Sequence, residues 1–294
     1  MEEILITGTT GFIGNHLVSA LNKNYKIFGI SKNKIKSSKN FYSHNLDITK
    51  SNIILKNHFS KIIHMAAYSD VNYCNLNPTK CYELNVNSTL KMLEIARKKD
   101  SSFIFLSSSH VYGNPKKLPI AEIDPCHPFT HYASSKKMSE ILCETYSKTY
   151  DLDIRVARIF SVYGPSSSKS NLVFNIINQM IHDSKVKLGN VSPKRDFIFI
   201  DDVINGLIQI INSKKRGFQV YNLGSGKSIS IEELVKTCFN IHNKNPKLIS
   251  SKEKRRKNEI SDICANISKM KSDFNWKPKI SLKKGLEITY NSYI

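Results

Sequence analysis

Five short, almost continuous apolar runs mark the first part of the chain: "EILIT" (3–7), "KIFGI" (26–30), "KIIHMAA" (61–67), "SFIFLSSS" (102–109) and "IRVARIF" (154–160). Runs of this length without polar alternation predict strands buried on both faces. Between them lie segments with helical apolar spacing. These are "NHLVSALNK" (15–23), with Leu17, Val18 and Leu21 on one side, "VNSTLKMLEIARKK" (86–99) and "YASSKKMSEILCETYSKTY" (132–150). Strand–helix alternation predicts an α/β fold, a doubly wound parallel sheet covered by helices on both faces.

The pattern loosens after residue 165. "SNLVFNIINQMIHD" (170–183) predicts a helix, "DFIFIDDVINGLIQIINS" (196–213) a strand running into a helix, and "QVYNLGS" (219–225) a late strand. "SIEELVKTCFNI" (230–241) predicts a helix with Ser230 as N-cap and Glu233 completing a capping box. The expected organisation is a dinucleotide-binding domain over residues 1–165, with returning segments around 195–225. Residues 166–294 would form mainly a smaller, interleaved substrate-binding lobe.

Composition narrows the setting. The 294 residues carry a net charge of +20, which by itself suggests a nucleic-acid or membrane-surface partner. The basic residues are spread along the chain, however, densest in "SKEKRRKNE" (251–259), and no nucleic-acid motif accompanies them. Neither nucleic acid nor membrane is therefore expected as a partner. No apolar run reaches the roughly 18 residues of a membrane span, and "MEEILITG" does not read as a signal peptide. The six cysteines are scattered without a C-x-x-C pair. Reduced thiols, a cytoplasmic location and no bound metal are the expectation.

"ITGTTGFIG" sets Gly8, Gly11 and Gly14 three apart between a strand and a helix. The first glycine permits a tight turn, the second lets the backbone approach a pyrophosphate, and the third lets the helix pack on the strand. The helix N-terminus, with Phe12 and Ile13, offers N–H groups to phosphate. About 20 residues on, an Asp or Glu would hold the ribose 2′-hydroxyl of NAD. This chain has Ser31 and Lys32 there, with Lys34 close by. A hydroxyl and ammonium groups suit a 2′-phosphate, so NADP(H) is the preferred cofactor and NAD(H) the alternative.

Taken together, the turn, "NLDI" (45–48), "HMAA" (64–67), "NVNST" (85–89), "SSSHVYG" (107–113), the Y-x-x-x-K pair, "RDFIFIDDV" (195–203) and "YNLGSG" (221–226) resemble the extended short-chain dehydrogenase/reductase superfamily. The branch is the one acting on nucleotide sugars, and the resemblance spans nearly the whole chain. It implies a Rossmann-type fold with a C-terminal substrate lobe. Asp47 and Ile48 are then expected at the adenine end of the cofactor, with Ala66, Ala67 and Phe160 along it.

Tyr132 and Lys136 stand four apart at the start of a helix, on one face. A free tyrosine titrates near pH 10, too high for easy proton exchange at neutrality, and a nearby ammonium would lower it. Lys136 would also reach the nicotinamide ribose. Counting back from "VYG", the resemblance assigns Ser108 to the reacting oxygen, with Ser109 and His110 beside it. His110 is a further candidate acid or base. On the substrate side "RIFSVYGP" (158–165) resembles a family segment in which Ser161 replaces an asparagine. Asn171, Leu172, Arg195 and Arg256 match diphosphate-binding positions, for which guanidinium forks are suited.

Three reactions share such a scaffold. 4,6-Dehydratases of the family carry a carboxylate pair where this chain has Ser109 and His110, so dehydration ranks lowest. The cofactor preference then favours an NADPH-dependent reductase of a nucleotide-linked 4-keto-6-deoxy sugar, with a nucleotide-sugar 4-epimerase as the alternative. A non-enzymatic cofactor-sensing or nucleic-acid-binding protein is disfavoured by the intact Ser108, Tyr132 and Lys136. Apolar positions Leu90, Leu93, Met138 and Leu142 fit a homodimer built on the two long helices, or equally the core.

Overall fold

The structure is a computed structural model that describes residues 1–33, 36–50, 57–242, 246–251 and 259–294. The chain divides into two compact units. The first comprises Met1–Val111, Pro128–Arg158 and Leu207–Tyr221; the second comprises Tyr112–His127, Ile159–Gly206 and Asn222–Ile294.

In chain order the elements up to Ile159 are β1 (Glu3–Thr7), α1 (Phe12–Leu21), β2 (Lys26–Ser31), β3 (Phe41–Asn45), β4 (Lys61–His64), α2 (Val71–Leu76), α3 (Pro78–Tyr82), α4 (Ser88–Lys99), β5 (Ser102–Ser108), α5 (His131–Tyr150) and β6 (Ile154–Ile159). A π-helical turn, Glu83–Asn87, leads into α4. The elements that follow are β7 (Ser161–Tyr163), α6 (Leu172–His182), β8 (Lys185–Leu188), β9 (Lys194–Phe199), α7 (Ile200–Ile211), β10 (Phe218–Leu223), β11 (Ser228–Ser230), α8 (Ile231–Ile241), β12 (Lys247–Ser250), α9 (Ser268–Phe274) and α10 (Leu282–Asn291).

Seven strands form the main sheet in the order β10-β6-β5-β4-β1-β2-β3. The chain runs outward from β1 to β3 and then crosses back to β4, which makes a topological switch point beside β1. The pairings β3–β2, β2–β1, β1–β4 and β4–β5 are all parallel. This is the Rossmann-type doubly wound sheet that the apolar runs predict. Leu5, Phe28, Ile62, Phe103, Phe105, Ile154 and Val156 from its strands pack with Met92, Leu93 and Cys143 from α4 and α5 in one buried cluster. β1, β5 and β6 each contribute a nearly unbroken buried run, as a sheet covered on both faces requires.

In the second unit β9 pairs with β11 antiparallel and with β7 parallel, and β8 pairs with β12. Asp196 on β9 is fully buried. Its carboxylate accepts from the Ser225 amide and hydroxyl and from the amides of Gly226 and Ala265. A Cβ on Gly224 would stand 2.7 Å from that carboxylate and 2.5 Å from the Ala265 side chain. "YNLGSG" is therefore a structural clasp around Asp196. The capping box of α8 forms as predicted, with the Ser230 hydroxyl accepting from the Glu233 amide.

Three boundaries differ from the sequence reading, and the first is the end of the dinucleotide-binding run, which falls at Arg158 rather than 165 because residues 159–165 lie in the second unit. Residues 112–127 lie in the second unit, because Ile120 bridges to Ala265 and exchanges hydrogen bonds with Cys264 and Asn266. The returning segment is 207–221 rather than 195–225, since β9 and the clasp belong to the second unit. No helix among the described residues is long and apolar enough to cross a membrane.

Candidate active site

The glycine turn is built by close approach. Gly8 has φ +76°, and a Cβ there would fall 2.7 Å from the Ala66 amide nitrogen. A Cβ on Gly14 would meet the Gly8 carbonyl oxygen at 2.2 Å. Gly11 opens α1 in an extended conformation with no side-chain cap, so the first amides of α1 face outward as donors. The Thr9 hydroxyl in this turn is buried and has no hydrogen-bond partner. A donor-rich cradle with an orphaned hydroxyl suits a pyrophosphate-bearing ligand. Phe12 and Ile13 are half-buried at the start of α1, and Gly14 is buried.

Thr7 and His64, at the ends of β1 and β4, hold the neighbouring crossing together. The Thr7 hydroxyl accepts from the amides of Met65 and Ala66 (both 3.2 Å) and lies 2.7 Å from His64 Nδ1. On the other side, His64 Nε2 is 3.2 Å from the Ser88 hydroxyl, which itself donates to the Leu84 carbonyl. Thr7 Oγ1 has two donors pointing at it, so its own proton goes to Nδ1. That leaves His64 neutral with hydrogen on Nε2, donating to Ser88. Burial, then the charge of Lys136, lowers its pKa from 6.5 to about 3. Ala66 and Ala67, half-buried, continue from this strand end.

Further along the cofactor edge the structure changes the reading of Ser31 and Lys32. The Ser31 hydroxyl donates to the Asn33 carbonyl at 2.6 Å. Lys32 Nζ lies 3.3 Å from the Asp47 carboxylate and 5.9 Å from the centre of the Tyr68 ring. Asp47 also accepts from the hydroxyl and amide of Thr49, which lead in lowering its pKa against a smaller rise from burial. Two of the three groups on which the 2′-phosphate expectation rested, Ser31 and Lys32, are thus engaged within the chain. Ile48 is buried, and its carbonyl accepts from Lys91 Nζ at 3.1 Å. Lys34 lies outside the described residues.

The structure brings Ser108, Tyr132 and Lys136 together. Thr130 caps α5 by accepting from the Ala133 amide, which starts the helix just before Tyr132. Tyr132 is buried, and a hydrogen bond with Ser108 opposes a burial effect that pushes its pKa up to about 12. Lys136 Nζ donates to the Leu106 carbonyl at 2.7 Å and sits 4.8 Å from the Phe105 ring centre. Burial lowers its pKa to about 8, against opposing charge effects from Cys81, Cys143, Glu140 and Cys74. The expected lowering of the Tyr132 pKa by this ammonium is therefore overridden, since burial of the phenol dominates. Ser109 is buried, and the His110 ring meets the Tyr132 ring edge-on with centroids 5.7 Å apart. His131, next to Tyr132 in sequence, is exposed and bonds Tyr82 through Nδ1 at 3.1 Å.

The remaining predicted residues lie in the second unit. Phe160 is buried and its amide donates to the Leu223 carbonyl. Ser161 is half-buried on β7, facing Phe197 of β9 in register. Asn171 is the N-cap of α6: Oδ1 accepts from the Val173 and Phe174 amides, and Nδ2 donates to the Val162 carbonyl. Both of its polar ends are thereby engaged, which leaves the first turn of α6 at Leu172 as the donor surface there. Arg195, largely buried, donates to its neighbour's carbonyl and lies 3.6 Å from Glu259. Arg256 lies outside the described residues.

Three residues with evident roles were assigned none in the sequence reading: Glu140, Thr7, which stands inside "ITGTTGFIG", and Arg158, which opens "RIFSVYGP". Glu140 and Arg158 form a buried bidentate pair, with Nε to Oε1 at 2.9 Å and Nη2 to Oε2 at 2.8 Å. Of the apolar positions on α4 and α5, Leu93 is core and Leu142 packs against it. Leu90, Met138 and Ile141 are exposed at 39, 46 and 52%.

Comparison with known proteins agrees with this geometry. The family model described as GDP-mannose 4,6 dehydratase matches residues 5–289. The UDP-glucuronate 4-epimerase of Thermodesulfobacterium geofontis is 31% identical over 99% of this chain and 96% of that protein. A solved UDP-glucuronic acid 4-epimerase from Bacillus cereus, in complex with UDP-glucuronic acid and NAD, is similar at 27% identity and a TM-score of 0.88, covering 99% of this chain and 98% of that one. The UDP-glucose 4-epimerase of Thermotoga maritima, solved with UDP-glucose, is 26% identical with a TM-score of 0.91, at 99 and 98% coverage. With its glycine cradle and assembled Ser–Tyr–Lys constellation, the chain belongs to the GDP-mannose 4,6 dehydratase family and is an enzyme of the extended short-chain dehydrogenase/reductase type.

Proposed function

We propose that the enzyme is a 4-epimerase of a UDP-linked sugar that works with a retained NAD. The observation that carries this reading over the NADPH-dependent reductase is the Lys32–Asp47 ion pair. A 2′-phosphate would have to displace the Asp47 carboxylate from Lys32 and would meet that carboxylate's repulsion. A cofactor without that phosphate meets no such conflict. The epimerase relatives, among them one crystallised with NAD, support the same choice. Ser109 and His110 stand where dehydration would need two carboxylates, so that reaction again ranks lowest.

The dinucleotide would be held by Gly8, Gly11, the amides of Phe12 and Ile13, Asp47, Ala66 and Lys136. When bound, it supplies hydride acceptance and return at the sugar's C4. The chain's own groups manage the proton. Tyr132 takes it from the C4 hydroxyl through its phenolic oxygen and gives it back to the new alcohol. Ser108 shares a hydrogen bond with that oxygen and fixes the distance. Lys136, protonated near neutral pH and fixed by the Leu106 carbonyl, would reach the ribose of the bound dinucleotide with a remaining N–H. Arg195 and the Leu172 amide at the start of α6 bind the sugar-linked diphosphate. In the proposed homodimer, Leu90, Met138 and Ile141 lie against a second copy.

Purified enzyme incubated with UDP-glucose, UDP-N-acetylglucosamine and UDP-glucuronate, without added cofactor, should form the C4 epimer of at least one, followed by proton NMR. Stoichiometric loss of NADPH absorbance with a 4-keto-6-deoxy sugar nucleotide, and no epimer from the panel, would return the reductase reading.

A further inference from the structure

Three residues of α5, at successive intervals of four, hold three consecutive residues of β5. Tyr132 lies close enough to the Ser108 hydroxyl for it to oppose the rise of the phenol pKa, Lys136 Nζ donates to the Leu106 carbonyl, and Glu140 accepts from the Ser107 hydroxyl at 2.6 Å. Spacing of four puts all three on one helix face. The first two rungs are made by the reacting groups themselves. The third is made by Glu140, which lies one turn beyond Lys136.

We propose that Glu140 is a positioning residue that fixes the register of α5 against β5, and so sets how Tyr132 and Lys136 meet Ser108. The proposal rests on the epimerase reading of that site. Glu140 is suited to the task because its carboxylate is itself clamped. Arg158, near the end of β6, forks onto both oxygens, and Lys137 Nζ reaches Oε2 at 3.4 Å. Glu140, Arg158 and Ser107 are 1, 4 and 5% exposed. β5 and β6 are neighbours in the sheet, so the clamp ties one helix to two adjacent strands. Replacing a buried ion pair by apolar residues of similar size is often neutral for stability, so stability alone gives little reason for charges here. A rigid support for the reacting groups gives one, because a misplacement of about 1 Å in a site can cost about a hundredfold in rate.

The test compares wild type with Glu140→Met/Arg158→Met, which removes both charges together, and with Ser107→Ala, which removes only the rung to β5. The substrate is whichever UDP-sugar of the panel gives the highest kcat/KM. The double variant is expected to melt within about 5 °C of wild type. Its kcat should fall about 10- to 100-fold with KM changed less than about twofold, the split expected when ground-state binding is intact and the transition state is not. Ser107→Ala should lose roughly threefold in kcat with the same KM, a smaller share of that misplacement cost. A folded double variant with wild-type kcat overturns the proposal. If the double variant does not fold, folded Ser107→Ala decides: a lowered kcat supports the positioning role and an unchanged one overturns it. Tyr132→Phe is the control for the underlying reading. Full activity in that variant rejects the site assignment itself, whatever the Glu140 variants do.

Discussion

His64 makes a prediction that can be worked through from its hydrogen bonds. In the folded protein its Nδ1 accepts from Thr7 and its Nε2–H donates to Ser88, and no water reaches the ring. A proton added to Nδ1 would turn that acceptor into a second donor facing the Thr7 hydroxyl. Burial, with a smaller push from the Lys136 charge, puts the native pKa at about 3, against 6.5 for a free side chain. Because the folded value is depressed, the unfolded chain takes up a proton first as pH falls. Stability is lost from about pH 6.5 downward, and the loss is complete below about pH 3. At about 1.4 kcal/mol per unit, the whole window costs about 5 kcal/mol, and the step from pH 7 to pH 5 about 2 kcal/mol. Urea unfolding followed by circular dichroism at pH 7 and pH 5 reads this directly. In His64→Asn, an amide oxygen takes the place of the Nδ1 acceptor and nothing titrates. Carboxylates contribute equally to both proteins, so the difference between their pH slopes isolates His64. Wild type should lose about 2 kcal/mol more than the variant over that interval. Parallel losses would refute the neutral-histidine reasoning.

Other consequences follow from single contacts. Tyr132→Phe removes the proton carrier and should lower kcat by about 10²- to 10⁴-fold at nearly unchanged KM, measured on the responsive UDP-sugar. Asp47→Ser should release Lys32 and improve NADP binding relative to NAD by roughly tenfold, about 1.4 kcal/mol, read as the ratio of the two dissociation constants; an unchanged ratio would remove the ion pair from the argument about cofactor choice. Met138→Glu/Ile141→Glu places charges on the exposed face of α5 and should convert a dimer to monomers in light scattering, with the melting temperature little changed.

The main sheet was legible because its strands are buried on both faces and so read as unbroken apolar runs. β3 was not, because "FYSHN" is mostly polar and little buried: Phe41 is buried while Tyr42, His44 and Asn45 are exposed. It is an edge strand, and only its pairing with β2 makes it one. β8 and β12 escaped for a similar reason, as lysine-bearing strands of a two-stranded sheet. The reverse holds for "YNLGSG", legible as a motif but not as a clasp. Its need for glycine comes from Asp196, far away in sequence and buried beneath it.

The site divides along the same line. Gly8, Gly11, Gly14, Tyr132 and Lys136 were readable because each is positioned by its own strand–turn–helix or by its spacing along one helix. Residues whose meaning depends on a distant partner were read as if they stood alone. Lys32 taken by itself is a cation beside a nucleotide pocket; beside Asp47 it is already neutralised. Asn171 taken by itself is a polar ligand; at the start of α6 both of its polar ends are used by the backbone. Lys136 was assigned the lowering of a tyrosine pKa from a distance of four residues, yet the Leu106 carbonyl holds its ammonium and burial governs the phenol. In each case a charge or amide had been counted as available for a ligand when the fold had already used it. That is also why Glu140, which touches no ligand in the proposed reaction, carries its expected effect on kcat through contacts with Arg158 and Ser107 that no local pattern announces.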